Sequence, residues 1–272
     1  MRKNKSIGIV GYGFVGKAVS QIQKVHKTEI YDPAFQQYAE NFEAFRQDIV
    51  FVCVPTPTER GEVILSYVED SAQKWNDLKS EDSILVLKST IPAGTTDYFC
   101  EKYGTNNIVH NPEFLTQRTA NQDFLNPLEV IIGGDKSCCD RVAGLYKDFY
   151  NLHSESAAEI QYFSISSRQA ELLKTVRNSF YATKVSFFNE VYDLCNALDI
   201  EYDSFINVFT LGGSHPWVGN QHVFVPGPDG KLGFAGACLP KDSEGLLNLS
   251  KKRGVSMLVL EAAIKTNKRR IK

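Results

Sequence analysis

The run Gly11-Tyr12-Gly13-Phe14-Val15-Gly16 constrains this chain more than any other stretch. It stands between a strand-like segment, Ser6–Val10, and an amphipathic pattern over Val15–Val25. In that setting the first glycine permits a tight turn, and the second lets a ligand's pyrophosphate approach the backbone. The third allows the helix to pack closely on the strand, with the helix N-terminus facing the phosphates. Glycine turns are common, so the run needs support from elsewhere. Asp32 supplies it by closing the next strand candidate, Thr28–Tyr31. It lies about 20 residues further on, where a carboxylate accepts from a ribose 2′-hydroxyl. The same carboxylate repels a 2′-phosphate, which favours NAD over NADP.

Ile49–Val54, Ser83–Leu87, Asn107–His110, Val130–Ile132 and Glu159–Phe163 also read as strands. Amphipathic stretches at Ile64–Leu78, Thr95–Lys102 and Ser137–Tyr150 alternate with them. Such alternation predicts an α/β fold with a Rossmann-type, doubly wound parallel sheet. From Ser166 to Leu198 no Gly or Pro interrupts the chain, and Leu172, Val176, Phe180, Val185, Phe188 and Val191 recur at helical spacing. One helix of about 30 residues is expected there, roughly 45 Å long. A short helix (Tyr202–Phe209), a Gly/Pro-rich loop (Leu211–Ala237) and helices near Lys241–Lys252 and Val255–Asn267 should follow. The division expected is an NAD-binding domain over 1–165 and a helical domain, built on the long helix, over 166–272.

A formal net charge of −2 leaves no broad basic footprint for nucleic acid. No apolar run approaches the ~20 residues of a membrane span. The chain passes from Arg2–Lys5 straight into a strand, without the apolar stretch of a secretory signal. Cys53, Cys100, Cys138, Cys139, Cys195 and Cys238 show neither metal-ligand pairs nor a disulfide framework. They read as the reduced thiols of a cytoplasmic chain with no metal centre.

Whether one of them is a nucleophile turns on Gly233-Phe234-Ala235-Gly236-Ala237-Cys238-Leu239-Pro240-Lys241-Asp242. Pro240 suits the first position of a helix, with Asp242 in its first turn. Cys238 would then precede a helix N-terminus beside Lys241, two effects that favour a thiolate. A buried inert thiol is the alternative, and it suits Cys53, Cys100 and Cys195 better. Glu171, Lys174 and Asn178 share one face of the long helix. They form either a solvated polar stripe or a clamp in which an ammonium and an amide stabilise developing negative charge. Val54-Pro55-Thr56-Pro57 and Lys88-Ser89-Thr90-Ile91-Pro92 close later strands, as plain terminators or as ligand loops.

Together these residues resemble the UDP-glucose/GDP-mannose 6-dehydrogenase family. The likeness runs through GYGFVG, VPTP at 54–57, KSTIPAGTT at 88–96 and NPEFL at 111–115. It continues in AELLKTVRN at 170–178, Asn189-Glu190, GFAGACLPKD at 233–242 and EAAIKTNKRR at 261–270. The resemblance implies oxidation of the C6 alcohol of a nucleotide sugar to a carboxylate, reducing two NAD. Cys238 would hold the aldehyde as a thiohemiacetal and then as a thioester, which water hydrolyses. Lys174 and Asn178 would hold the substrate oxygen, and Asp242 would assist proton transfer through water. The resemblance also implies NAD contacts from Thr56, Thr90 and Lys241, and sugar contacts from Phe114, Leu115, Thr116, Gln117, Phe234, Ala235 and Gly236. Homodimerisation through the long helix is implied as well. Two other readings share part of the pattern. A β-hydroxyacid-type dehydrogenase has the same plan but no need of Cys238. A catalytically impaired or partner-dependent NAD-binding relative would keep the cofactor site alone.

Three departures from the family pattern stand out. Gln117 and Arg118 replace a glutamate and a glycine beyond NPEFL, and Ala235 replaces a glycine of GFGG. Family members also continue past the EAAIKTNKRR-like helix into a third domain, so a short form lacking that domain is expected. Gln117 can orient a water but cannot accept its proton at neutral pH. Losing a positioned base typically costs ~10²–10⁴-fold in the step it serves, so thioester hydrolysis should be slow. A burst of NADH, up to about two per site, should precede slow turnover. A sugar adduct on Cys238 should be visible by intact-protein mass spectrometry. Gln117→Glu should shorten the adduct's lifetime; steady turnover without burst or adduct, and no gain from Gln117→Glu, would clear Gln117.

Overall fold

Alternate residues of the sheet strands bury on opposite faces, and that two-sided burial calls helices onto both. The computed structural model describes residues 5–154, 156–215, 218–236 and 238–271; positions 216, 217 and 237 of the expected Gly/Pro-rich loop lie outside the described residues. Its strands are β1 (Ser6–Val10), β2 (Lys27–Tyr31), β3 (Ile49–Val52), β4 (Thr58–Glu59), β5 (Glu62–Val63), β6 (Ile84–Leu87), β7 (Ile108–His110), β8 (Glu129–Gly133) and β9 (Gln161–Ile165). The helices are α1 (Phe14–Val19), α2 (Ser66–Leu78), α3 (Thr95–Tyr103), α4 (Ala120–Leu125), α5 (Lys136–His153), α6 (Ser167–Ala197), α7 (Tyr202–Phe209), α8 (Leu239–Lys252) and α9 (Leu258–Arg270).

Seven strands form one sheet in the order β2-β1-β3-β6-β7-β8-β9. Ile7, Ile9, Ile49, Phe51, Ile84 and Val86 pack with Ala18 of α1 and Val142 and Phe149 of α5. Their neighbours Val10, Val50, Val52, Leu85 and Leu87 pack with Val68 and Trp75 of α2 and Phe99 of α3. This is the doubly wound arrangement that the sequence predicts. β7 and β8 pair antiparallel, so β8 and β9, parallel to each other, run against the other five. A parallel neighbour needs a full crossover helix. The link from β7 to β8 holds only the six-residue α4, whereas α5 makes a proper crossover between β8 and β9.

Two compact units divide the chain, Met1–Pro57 with Val63–Lys174, and Thr58–Glu62 with Thr175–Lys272. Local departures have local causes. The helix expected from Ile64 starts at Ser66 because a small hairpin, β4–β5, precedes it. Arg60 and Gly61 take φ of 50° and 82° at its tip, and two central residues with positive φ suit a two-residue hairpin. The pattern over Val15–Val25 splits into α1 and a 3₁₀ turn over Ser20–Lys24.

Helix α6 begins with a reciprocal cap. Ser166 Oγ accepts from Gln169 N–H, while Gln169 Oε1 accepts from Ser166 N–H at 3.1 Å. Its first turn is tied to α3, since Asp97 accepts from Ser167 and, at 2.6 Å, from Arg168. Further along, Glu171 is wholly buried and caps α3 from 75 residues away. It accepts from Gly94 N–H at 2.6 Å, Thr96 N–H at 2.7 Å and Thr96 Oγ1 at 2.6 Å. In the second unit, Phe188 and Cys195 of α6 pack with Tyr202 and Ile206 of α7, and Leu246 of α8 packs with Leu260 and Ile264 of α9.

Removing the Glu171 carboxyl strands three donors, so Glu171→Ala should cost about 2–4 kcal/mol in a urea titration. Burial raises the Glu171 carboxyl above its usual 4.5 despite those three donors. A raised carboxyl stabilises the fold fully below 4.5 and progressively less as pH climbs through its raised value. Wild type should therefore lose stability relative to Glu171→Gln as pH rises from 4.5, and a flat difference would refute the raised carboxyl.

Candidate functional site

The glycine turn sits where β1 is flanked by β2 on one side and β3 on the other, the switch point at which open α/β sheets bind ligands. Gly11 has a φ of 91°. A Cβ on Gly16 would lie 1.9 Å from the Gly11 carbonyl oxygen, so only glycine lets α1 approach this closely. A Cβ on Gly13 would meet nothing within 4 Å, which leaves that backbone open to a ligand. No side chain caps α1, whose N-cap is Gly13, so its leading N–H groups suit an anion. Phe14 and Val15 pack their side chains on the core beneath.

Asp32, at the end of β2, accepts from Tyr12 N–H at 2.5 Å and Ala34 N–H at 2.8 Å. A carboxylate has about four acceptor positions, so capacity for a ribose hydroxyl remains. Thr56 is buried in the loop after β3, and Thr90 is half-buried in the loop after β6. Ser89 Oγ donates to Val54 O at 2.7 Å and ties these two loops together. The residues present fit a dinucleotide. Among the described residues no group of His, Cys, Asp or Glu could hold a metal ion, and no helix is long and apolar enough to cross a membrane.

Beyond β6 and β7 lies a buried polar cluster. Lys174 Nζ donates to Glu113 O at 2.6 Å and to Glu113 Oε1 at 3.2 Å. It also stands 5.3 Å from the centre of the Phe114 ring. Glu113 Oε2 accepts from Leu115 N–H at 2.7 Å, which orients the carboxylate. Lys88 donates to Asn111 Oδ1 at 2.9 Å, and the Tyr146 hydroxyl donates to the same oxygen at 2.7 Å. Burial pulls the Lys88 ammonium down to about 8. It likewise pulls His110 down to about 3 and pushes the Cys53 thiol up to about 12, so Cys53 stays a neutral thiol. Thr116 N–H donates to Asp123 at 2.7 Å, and Gln117 beside it is exposed.

Glu113, Lys88 and Asn111 were not among the residues assigned roles from sequence. Each stands inside a run already singled out, 88–92 or 111–115. The available signal was a charge or amide placed next to a β-rich run, where burial demands a partner. Glu171, read from sequence with Lys174 and Asn178 as one stripe, instead serves as the α3 cap described above.

In the second unit, Cys238 is the half-buried N-cap of α8, and Asp242 N–H donates to its carbonyl at 2.9 Å. The helix begins at Leu239, which makes Pro240 its second residue rather than its first. Asp242 is 3% exposed and gathers two partners. Asn178 Nδ2 donates to Asp242 Oδ2 at 2.6 Å, and Lys241 Nζ donates to Asp242 Oδ1 at 2.5 Å. Phe234 is buried and Gly236 exposed.

A glycine turn at the switch point, with an acidic residue closing the next strand, defines a dinucleotide-binding protein of Rossmann type. Residues 22–150 match the UDP-glucose/GDP-mannose dehydrogenase family, NAD binding domain, and residues 168–269 match that family's central domain. The chain belongs to the UDP-glucose/GDP-mannose dehydrogenase family, and its cofactor is NAD. It is 34% identical over 239 residues to UDP-glucose 6-dehydrogenase of Rickettsia prowazekii, covering 86% of this chain and 51% of that protein. To the Rickettsia bellii protein of the same name it is 31% identical over 272 residues, covering 94% and 59%. The chain thus spans about half the length of the curated relatives it matches. The structure of a UDP-glucose dehydrogenase from Pyrobaculum islandicum superposes with a TM-score of 0.82 at 26% identity, covering 99% of this chain and 69% of that one.

Asp32→Ala should weaken NAD binding by about 1–3 kcal/mol, the cost of an unpaired hydrogen bond to a charged group. Calorimetric titration checks this. Tighter binding of NADP than NAD by the unmutated chain would contradict the role given to Asp32.

Proposed function

We propose that this chain oxidises the C6 alcohol of a nucleotide sugar, UDP-glucose or a close relative, to the uronate through a covalent intermediate on Cys238. The observation that carries this reading is a pair of preset polar groups one helical turn apart on α6. The Lys174 ammonium is 3% exposed and held by Glu113; the Asn178 amide is 7% exposed and held by Asp242. Fixed donors of this kind stabilise an oxygen as it gains negative charge, because they need not reorganise. A polar stripe meant only for solvent would not be buried and tethered in this way.

Bound NAD would supply the hydride acceptor for each of two oxidations. Lys174 and Asn178 hold the substrate oxygen. The Cys238 sulfur adds to the aldehyde carbon, and the thiohemiacetal so formed is oxidised to a thioester. Water then displaces the sulfur, with Asp242 passing the proton and Thr90 helping to place the water. Glu113 keeps Lys174 in place and so belongs with the working residues. Gly11, Tyr12, Gly13, Phe14, Val15, Gly16, Asp32, Thr56, Thr90 and Lys241 serve NAD. Phe114, Leu115, Thr116, Phe234 and Gly236 serve the sugar, and exposed Gln117 serves the hydrolytic water. Residues 1–165 act as the NAD-binding domain; 166–272 carry the cysteine and the dimer contact.

Self-association has its own support. Leu172, Val176, Phe180, Phe187 and Leu194 of α6 are 41–61% exposed. At about 100° per residue they fall within roughly 80° of one another. An exposed apolar stripe of this length, broken only by Thr183 and Glu190, marks a protein contact, and a second copy of the chain, meeting it with the same stripe, forms a homodimer. Six free thiols suit a cytoplasmic setting.

The test is a screen of UDP-glucose, GDP-mannose and UDP-N-acetylhexosamines with NAD, following NADH. Cys238→Ser should bind NAD as wild type does while acid formation drops by about 10³-fold or more. Undiminished acid production by the Ser variant would rule out the covalent route.

A further inference from the structure

Two buried asparagines of the second unit grip the backbone just before the cysteine segment, and no step proposed above uses them. Asn189 lies on α6 and Asn267 on α9; they are 2% and 4% exposed. Asn267 reads both polar groups of Phe234. Its Oδ1 accepts from Phe234 N–H at 2.7 Å, and its Nδ2 donates to Phe234 O at 2.8 Å, as a neighbouring strand would. Asn189 Oδ1 accepts from Gly233 N–H at 2.9 Å, and its Nδ2 donates to Val185 O at 2.9 Å, which orients the amide. Gly233 itself has a φ of 75°, and a Cβ there would lie 2.4 Å from Asn267 Oδ1. Glycine, two amides and the backbone therefore interlock at one point.

Amides on two helices, matched to consecutive peptide groups, exceed what cohesion of α6 and α9 requires. That cohesion has other sources. Ser186 Oγ donates to Ala263 O at 2.9 Å, Thr266 donates to Glu190 at 3.1 Å, and Arg270 pairs with Asp193. We propose that Asn189 and Asn267 are positioning residues that hold residues 233–234, and through them the placing of Cys238 four residues on. This rests on the reading of Cys238 as the nucleophile. Misplacing a reacting group by about 1 Å can cost 10²-fold, which is the reason for locking the segment's backbone rather than leaving it to a loop.

The test follows each thiol separately, by iodoacetamide labelling of the full chain at pH 7 and peptide mass spectrometry. In Asn267→Asp, which keeps an acceptor for Phe234 N–H but loses the donor to Phe234 O, Cys238 labelling should slow by about fivefold or more. Asn189→Ala, which removes the acceptor for Gly233 N–H, should act likewise. Buried Cys138, Cys139 and Cys195 report general loosening, and their rates should hold in every variant. Thr266→Ala, which loosens the same helix pair elsewhere, should leave Cys238 unchanged. With turnover, Asn267→Asp should lower kcat by about tenfold or more with the KM for NAD within about twofold. A wild-type rate at Cys238 in Asn267→Asp, or a rise shared with the buried thiols, would overturn the positioning role. A wild-type chain that labels selectively at Cys238 but never turns over would instead sink the dehydrogenase reading and leave the labelling to decide this one.

Discussion

The first two turns of α6 bring Glu171 and Lys174 into the interior of the first unit, and each charge is met by the backbone of a loop that follows a strand. Glu171 takes the amides at 94 and 96; Lys174 takes the carbonyl and carboxylate of Glu113. Buried charges of this kind add little net stability, because desolvation offsets most of the attraction. Their effect is positional. Leaving either charge unpaired would be far more costly than leaving the pair unmade, so the loops at 92–96 and 111–115 are confined to one arrangement around the helix. Everything proposed for the site in this unit hangs on that confinement.

The same device recurs in the second unit with different groups. Asp242 at the start of α8 holds Asn178 and Lys241, and Asn189 and Asn267 hold the backbone before Cys238. In both units a group proposed to act on substrate is fixed by a partner that is itself buried. Preorganised dipoles work in catalysis because their orientation is settled before charge develops. The cost is a polar interior, tolerable only where almost every donor finds an acceptor. His110, wholly buried beside Lys88, is held neutral by that burial.

Most of the architecture could be read along the chain. Strand and helix positions followed from runs of β-branched residues and from apolar spacing, since burial on two sheet faces or one helix stripe leaves a periodic mark. The glycine turn and Asp32 were legible for a related reason: their roles depend on residue type at close spacing within one βαβ unit. The β4–β5 hairpin was missed, although Arg60-Gly61 marked its turn. The reversal of β8 and β9 left no mark at all, because a buried strand reads the same in either direction. Lys88 and Glu113 stood in view within quoted motifs and still drew no role. A charge beside an apolar run announces that it needs a partner without saying which.

By itself, then, the sequence determined the class of fold, the cofactor turn, the uninterrupted long helix and the cysteine at a helix start. Each is written in neighbouring residues whose sterics and periodicity act locally. Tertiary structure alone decided that Glu171 is a helix cap rather than one member of a polar stripe, that Glu113 holds Lys174, that Asp242 holds Asn178, and that two asparagines 78 residues apart meet consecutive peptide groups. Those pairings join residues remote in the chain, and a hydrogen bond depends on distances of a few tenths of an ångström that only packing sets.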